Sequence, residues 1–187
     1  MALIAEPRRP NPILRLGIAL TERITGRRME PARLLAWYPP AAFGSGVLES
    51  LVAHREPSPR LLTLVRVAAS LTASCAFCVD MNSYRAGDAG VSDAELRALQ
   101  EGTEEGVATL TERERTAIAY ARAISSTPLT FDERLTQRLR DQFVEREIVI
   151  LATTAAQVNY WARTIQALGI PPAGFCDVPR PGPAPAS

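Results

Sequence analysis

The chain has 187 residues, 47% of them apolar and 22% charged, with a formal net charge of +1. That length and balance suit one globular domain with a full core, and the near-zero charge gives no basis for a nucleic-acid or acidic-membrane partner. Three cysteines are too few, and too odd a number, for a disulfide-stapled secreted scaffold; they fit a reducing cytoplasm in which any disulfide is transient and catalytic.

Helix signals recur along the chain and strand signals do not. The opening Met1–Pro10 puts its charges after a very short apolar run, the reverse of a signal peptide, and reads as a tail over residues 1–10. Asn11-Pro12 offers an N-cap followed by proline at the first helical position, predicting a helix to Thr25 that Gly26 ends. Its stretch Ile13–Ile24 is amphipathic and basic, the pattern of a helix that packs on the core or on a partner subunit. Glu30-Pro31 opens a short helix to Trp37, which Tyr38-Pro39-Pro40 stops. Ala41–His54 reads as a helix weakened by Gly44 and Gly46. Ser58-Pro59 is a second cap-plus-proline start, leading into the apolar run Leu61–Leu71. Cys75–Ala89 follows, closed by Gly90. Three capping boxes then start helices at Ser92-Asp93-Ala94-Glu95, Thr111-Glu112-Arg113-Glu114 and Thr130-Phe131-Asp132-Glu133. The charges at 112–115 read as a solvated face with i,i+3 pairing. Val144–Leu168 is the longest helix, with apolar positions at helical spacing, and the proline-rich 177–187 reads as a loosely extended tail. The sum is an all-α bundle of about nine helices with short loops, a single domain over 11–176.

The chemistry concentrates at Ser70–Ser83. Thr72, Ala73 and Ser74 interrupt an apolar run, and Thr72 or Ser74 is placed to cap a new helix. Cys75 and Cys78 then fall in its first turn, where unpaired N–H groups and the positive dipole end favour a thiolate. The alternative is a pair of buried apolar cysteines. A zinc site would need Cys75, Cys78, Cys176 and His54 together, and those spacings match no zinc module, so no metal and no cofactor is expected. His54 reads as a loop residue, and Cys176 as a bystander or a third thiol.

The block Thr63–Asn82 resembles the carboxymuconolactone decarboxylase-like superfamily, and within it the AhpD-like alkylhydroperoxidases; Asn11–Leu16, Phe143–Val149 and Ala167–Pro171 extend the likeness over most of the chain. The resemblance implies an AhpD-like helical bundle that assembles as a dimer, trimer or hexamer. It implies a thiol-dependent oxidoreductase acting on a hydroperoxide, with Cys78 peroxidatic, Cys75 resolving and a dithiol protein as reductant. It also marks a departure. The family's proton relay is a Glu twelve residues before the first cysteine and a His four after the second; here those positions hold Thr63 and Asn82. Asn82 lies one turn beyond Cys78 on the same helical face, where it can hydrogen-bond a sulfur but not accept its proton. The expected catalytic set is therefore Cys78, Cys75 and Asn82, working slowly. Thiolate stabilisation then falls to the helix terminus, unless Arg66 or Arg85 points inward, while Asp80 would oppose it. The competing reading is a non-catalytic oligomeric protein of the same fold, a redox sensor or binding partner. Lactone decarboxylation, which names the superfamily, ranks last in a chain with one histidine.

Overall fold

A computed structural model describes residues 2–84 and 86–174. Among them are nine α-helices: α1 (Pro12–Thr25), α2 (Glu30–Leu35), α3 (Pro39–Leu51), α4 (Pro59–Thr72), α5 (Ala76–Ser83), α6 (Asp93–Glu101), α7 (Glu112–Ser125), α8 (Glu133–Gln142) and α9 (Glu145–Ala167). Two short 3-10 turns, Ala86–Ala89 and Glu104–Gly106, complete the regular structure, and no strand occurs among the described residues. Cys176 and Arg85 lie outside the described residues.

Helix α4 is the axis of the fold. Leu61, Leu62, Leu64, Val65, Val67, Ala68, Ala69 and Ser70 are all buried, so α4 is apolar nearly all round and must be surrounded. Helices α5, α7 and α9 pack against it. Fully buried Ala68, Ala69, Ala117, Ala155 and Ala162 let these neighbours approach closely, as dense interior packing requires.

Local capping chemistry sets most of the boundaries. Asn11 Oδ1 accepts from Ile13 N at 2.9 Å and Ser58 Oγ from Leu61 N at 3.1 Å, each ahead of a proline. Ser92 with Glu95 and Thr111 with Glu114 form reciprocal capping boxes. Three boundaries differ from the sequence expectation. The Pro39-Pro40 pair ends α2 but also opens α3, since proline suits the first helical position. Helix α8 is capped by Asp132, whose carboxylate accepts from Leu135 N at 2.6 Å, and not by Thr130. Helix α5 stops at Ser83; Tyr84 turns out of helical geometry with ψ 125°, and the 3-10 turn Ala86–Ala89 leads to Gly90 at φ +80°.

The charges at 112–115 are not simply a solvated face. Arg60, at the start of α4, donates to Glu95 through Nη2 (2.7 Å) and Nη1 (3.1 Å) and to Glu114 through Nε (2.6 Å), and it also donates to the Gly90 carbonyl. The two glutamates that close the boxes of α6 and α7 thus converge on one guanidinium. Arg113 reaches Glu147 at 2.7 Å and lies over the Phe143 ring.

Helix α1 stands apart. It has no buried residue, and Leu16, Leu20 and Ile24 form an exposed apolar stripe. It is tied to α2 through Glu22, which takes Arg33 Nη2 at 2.6 Å and Nε at 2.7 Å, while Arg33 also reaches Glu6 at 2.9 Å. The Arg33 hydrogen bonds hold the Glu22 carboxyl down at about 2.

Candidate functional site

The reversal between α4 and α5 builds the site. Thr72 ends α4 with its hydroxyl returned to the Ala68 carbonyl at 3.0 Å, so it does not cap α5. Ser74 does not cap it either: it adopts φ +52°, an uncommon conformation for a residue with a side chain. The Ser74 N–H donates to the Leu71 carbonyl (3.0 Å) and the Cys75 N–H to the Ser70 carbonyl (3.1 Å), which hold the reversal in place. Cys75 is itself the N-cap of α5, with its sulfur accepting from Cys78 N at 3.2 Å. Cysteine is a weak acceptor, which is why a hydroxyl was the natural expectation for this position.

Cys75 and Cys78 are joined as a disulfide, with Cα atoms 5.2 Å apart. Their surroundings differ. Cys75 is 0% exposed and enclosed by core, whereas Cys78, 4% exposed, lines a cavity of about 720 Å³. That size is typical of a pocket for a small organic ligand. Helices α1, α2 and α3 form one wall, and Phe77, Cys78, Met81 and Asn82 of α5 with Val158, Trp161 and Ile165 of α9 form the other. The lining is mainly apolar. Among the described residues it contains one carboxylate, Glu49, and one cation, Arg66.

The other predicted residues sort by whether they reach this cavity. Asn82 does, and its Nδ2 donates to Ser70 Oγ at 2.9 Å, while Ser70 donates to the Arg66 carbonyl at 2.7 Å. Thr63 does not: it lies on α4 with its hydroxyl on the Pro59 carbonyl at 2.9 Å. His54 is also absent from the lining and meets Thr153 Oγ1 at 3.0 Å in the loop after α3. Asp80 is buried and accepts from Gly174 N at 2.8 Å, so it ties the segment after α9 back to α5. No group of three or more metal-ligating side chains comes together among the described residues.

Glu49 carries no signal in the sequence, whereas Arg66, one of the two arginines that the sequence left free to point inward, lines the cavity. Glu49 Oε2 accepts from Gln157 Nε2 at 2.7 Å and Trp161 Nε1 at 3.0 Å, so α3 and α9 are bridged by a carboxylate. Arg66 is half-buried. Burial pushes its guanidinium down from the ordinary arginine value, and the charge of Glu49 pulls it back up.

Comparison with known proteins decides the family. The model of the carboxymuconolactone decarboxylase family matches residues 41–123, which include the cysteine pair and the whole of α4 and α5. The uncharacterised protein YnjA of Escherichia coli strain K12 is 31% identical over 135 residues, 72% of each chain. The chain belongs to the carboxymuconolactone decarboxylase family. Two solved structures share the family fold seen here. One is an alkylhydroperoxidase AhpD core protein from Ralstonia eutropha JMP134, uncharacterised and peroxidase-related: TM-score 0.78, 15% identity, 91% of this chain and 92% of that one. The other is a cysteine-to-alanine variant of the debrominase Bmp8 in complex with 2,3,4-tribromopyrrole: TM-score 0.78, 19% identity, 95% of both chains. The AhpD-like all-α expectation is met. No helix among the described residues is long and apolar enough to cross a membrane.

Proposed function

We propose that the chain is a thiol-dependent oxidoreductase that reduces hydroperoxides through a Cys75–Cys78 dithiol–disulfide cycle. The observation that carries this reading is the asymmetry of the pair: one sulfur faces an apolar cavity and the other is sealed behind it at a helix N-cap. In the reduced state the Cys78 thiolate attacks the terminal oxygen of the hydroperoxide. The O–O bond breaks, the alcohol leaves with a proton, and Cys78 becomes a sulfenic acid. The Cys75 sulfur then attacks Cys78, water leaves, and the disulfide forms. A dithiol protein returns the two electrons. Because Cys78 is the accessible sulfur, reductant attack there expels Cys75, and a thiolate at the amide end of α5 is a favourable leaving group.

The test is differential alkylation with mass spectrometry. Reduced protein given a stoichiometric pulse of cumene hydroperoxide should lose both Cys75 and Cys78 from the alkylatable pool and recover them with dithiothreitol. Thiols that stay fully alkylatable through the pulse would sink the reading.

A second reading is a redox sensor or binding protein without useful turnover, favoured by the loss of the relay. Asn82 is hydrogen-bonded to Ser70, and Thr63 is not at the cavity. Asn82→His puts a base one turn from Cys78, and general acid–base help is typically worth ~10²-fold or more. Peroxide consumption by this variant should therefore exceed wild type by about that factor. Equal rates in the two proteins would mean that proton transfer is handled elsewhere in the cavity.

A further inference from the structure

Arg66 presents an unusual combination. It projects from the most buried helix of the fold into an apolar cavity, on the same lining as Cys78. Among the described residues its guanidinium makes no hydrogen bond and no ion pair within 4.0 Å, whereas Arg33 and Arg60, half-buried like it, are both paired. The single carboxylate of the cavity, Glu49, is engaged by Gln157 and Trp161 and stays out of contact range. An unpaired guanidinium in a mainly apolar cavity has its donors open to an acceptor that a ligand supplies. Its planar fork suits a pair of oxygens in particular.

We propose that the cavity binds an apolar organic anion, with its acidic group on the Arg66 guanidinium and its hydrocarbon body along α1 and α3. This deepens the peroxidase reading and rests on it for the reaction, since Arg66 and Cys78 line the same cavity. It makes Arg66 a specificity-determining residue. The charge of Glu49 opposes an anion, but Glu49 is exposed, its carboxylate is engaged by Gln157 and Trp161, and it is screened more than the half-buried Arg66. A cavity of about 720 Å³ has room for a chain or a fused ring system.

The experiment measures binding without turnover, on the full chain in its disulfide form, by isothermal titration with two acids and their neutral counterparts: decanoate against decan-1-ol, and 2-naphthoate against 2-naphthalenemethanol. Wild type should prefer at least one acid over its alcohol by about ten- to a hundred-fold, the size expected for a charge-assisted hydrogen bond. The tighter acid identifies the body as chain or ring. Arg66→Gln should erase the preference while leaving alcohol binding in place, and Arg66→Lys should restore part of it. Equal binding of acid and alcohol to wild type would overturn the proposal, as would an unchanged preference in Arg66→Gln. Because no peroxide is present, either result leaves the Cys75–Cys78 chemistry to its own test.

Discussion

Cys78→Ser is expected to lose peroxide reduction by ~10³-fold or more, as removal of a reacting nucleophile does, while Cys75→Ser should still react once. The two cysteines are only three residues apart, yet they have different access. Cys78 borders the cavity, and Cys75 is fully enclosed with its sulfur on the Cys78 N–H. A hydroperoxide in the cavity meets Cys78 alone. With serine at 75, Cys78 should consume one equivalent of peroxide and stop as a sulfenic acid, trapped by a cyclic 1,3-diketone and seen by mass spectrometry. With serine at 78, no adduct should form at Cys75 on the same timescale. A Cys78→Ser protein that keeps turning over, or a sulfenic acid found at Cys75 instead, would reverse the assigned roles.

The contrast between the cysteines explains what could and could not be read from the chain. Residue types and spacing were enough to locate the cysteine pair at a helix start, because capping and CxxC chemistry are local. Asn11-Pro12, Ser58-Pro59 and the boxes at Ser92 and Thr111 fixed their helices for the same reason: donor and acceptor lie within three residues of each other. Which sulfur faces the cavity depends on α1, α2, α3 and α9, and nothing within the CxxC reports where those helices go. Glu49 belongs to a helix that two glycines make look weak, and its partners are more than one hundred residues away. Arg66 in an apolar run is ambiguous from sequence alone, since a long side chain can leave a core by several routes. The early end of α5 is a third case, because helical periodicity beyond Ser83 continues into residues that instead form a 3-10 turn. Within 112–115, where Glu112 is exposed and pairs with Arg115 three residues on, the exception shares this cause: Glu114 is claimed by Arg60, 54 residues earlier.

That same arginine supports the other large effect. Arg60→Met should destabilise the fold by about 3–5 kcal/mol, the usual cost of removing one member of a buried charged cluster, which for a chain of this size corresponds to a melting temperature lower by roughly 6–20 °C. The loss is not only of contacts. Glu95 has a side chain only 3% exposed, and without the guanidinium it and Glu114 are left charged and close together at the joined starts of α4, α6 and α7. The pH dependence carries the same signature. Hydrogen bonds from Arg60, against the opposing effect of burial, hold the Glu95 carboxyl at about 2 where an ordinary glutamate stands at 4.5. A carboxyl depressed on folding stabilises the native state fully above its unfolded value and loses that contribution as pH falls through its folded value. Wild type should therefore give up on the order of 3 kcal/mol between about pH 4.5 and pH 2 from Glu95. In Arg60→Met the largest downward pull is gone, only the hydrogen bonds from Thr109 and Ser92 still oppose burial, and this acid-side slope should flatten. Urea unfolding of both proteins at a series of pH values measures the slopes directly. Parallel slopes, or a midpoint in Arg60→Met unchanged from wild type, would mean that the two capping-box glutamates do not depend on Arg60 for their charge.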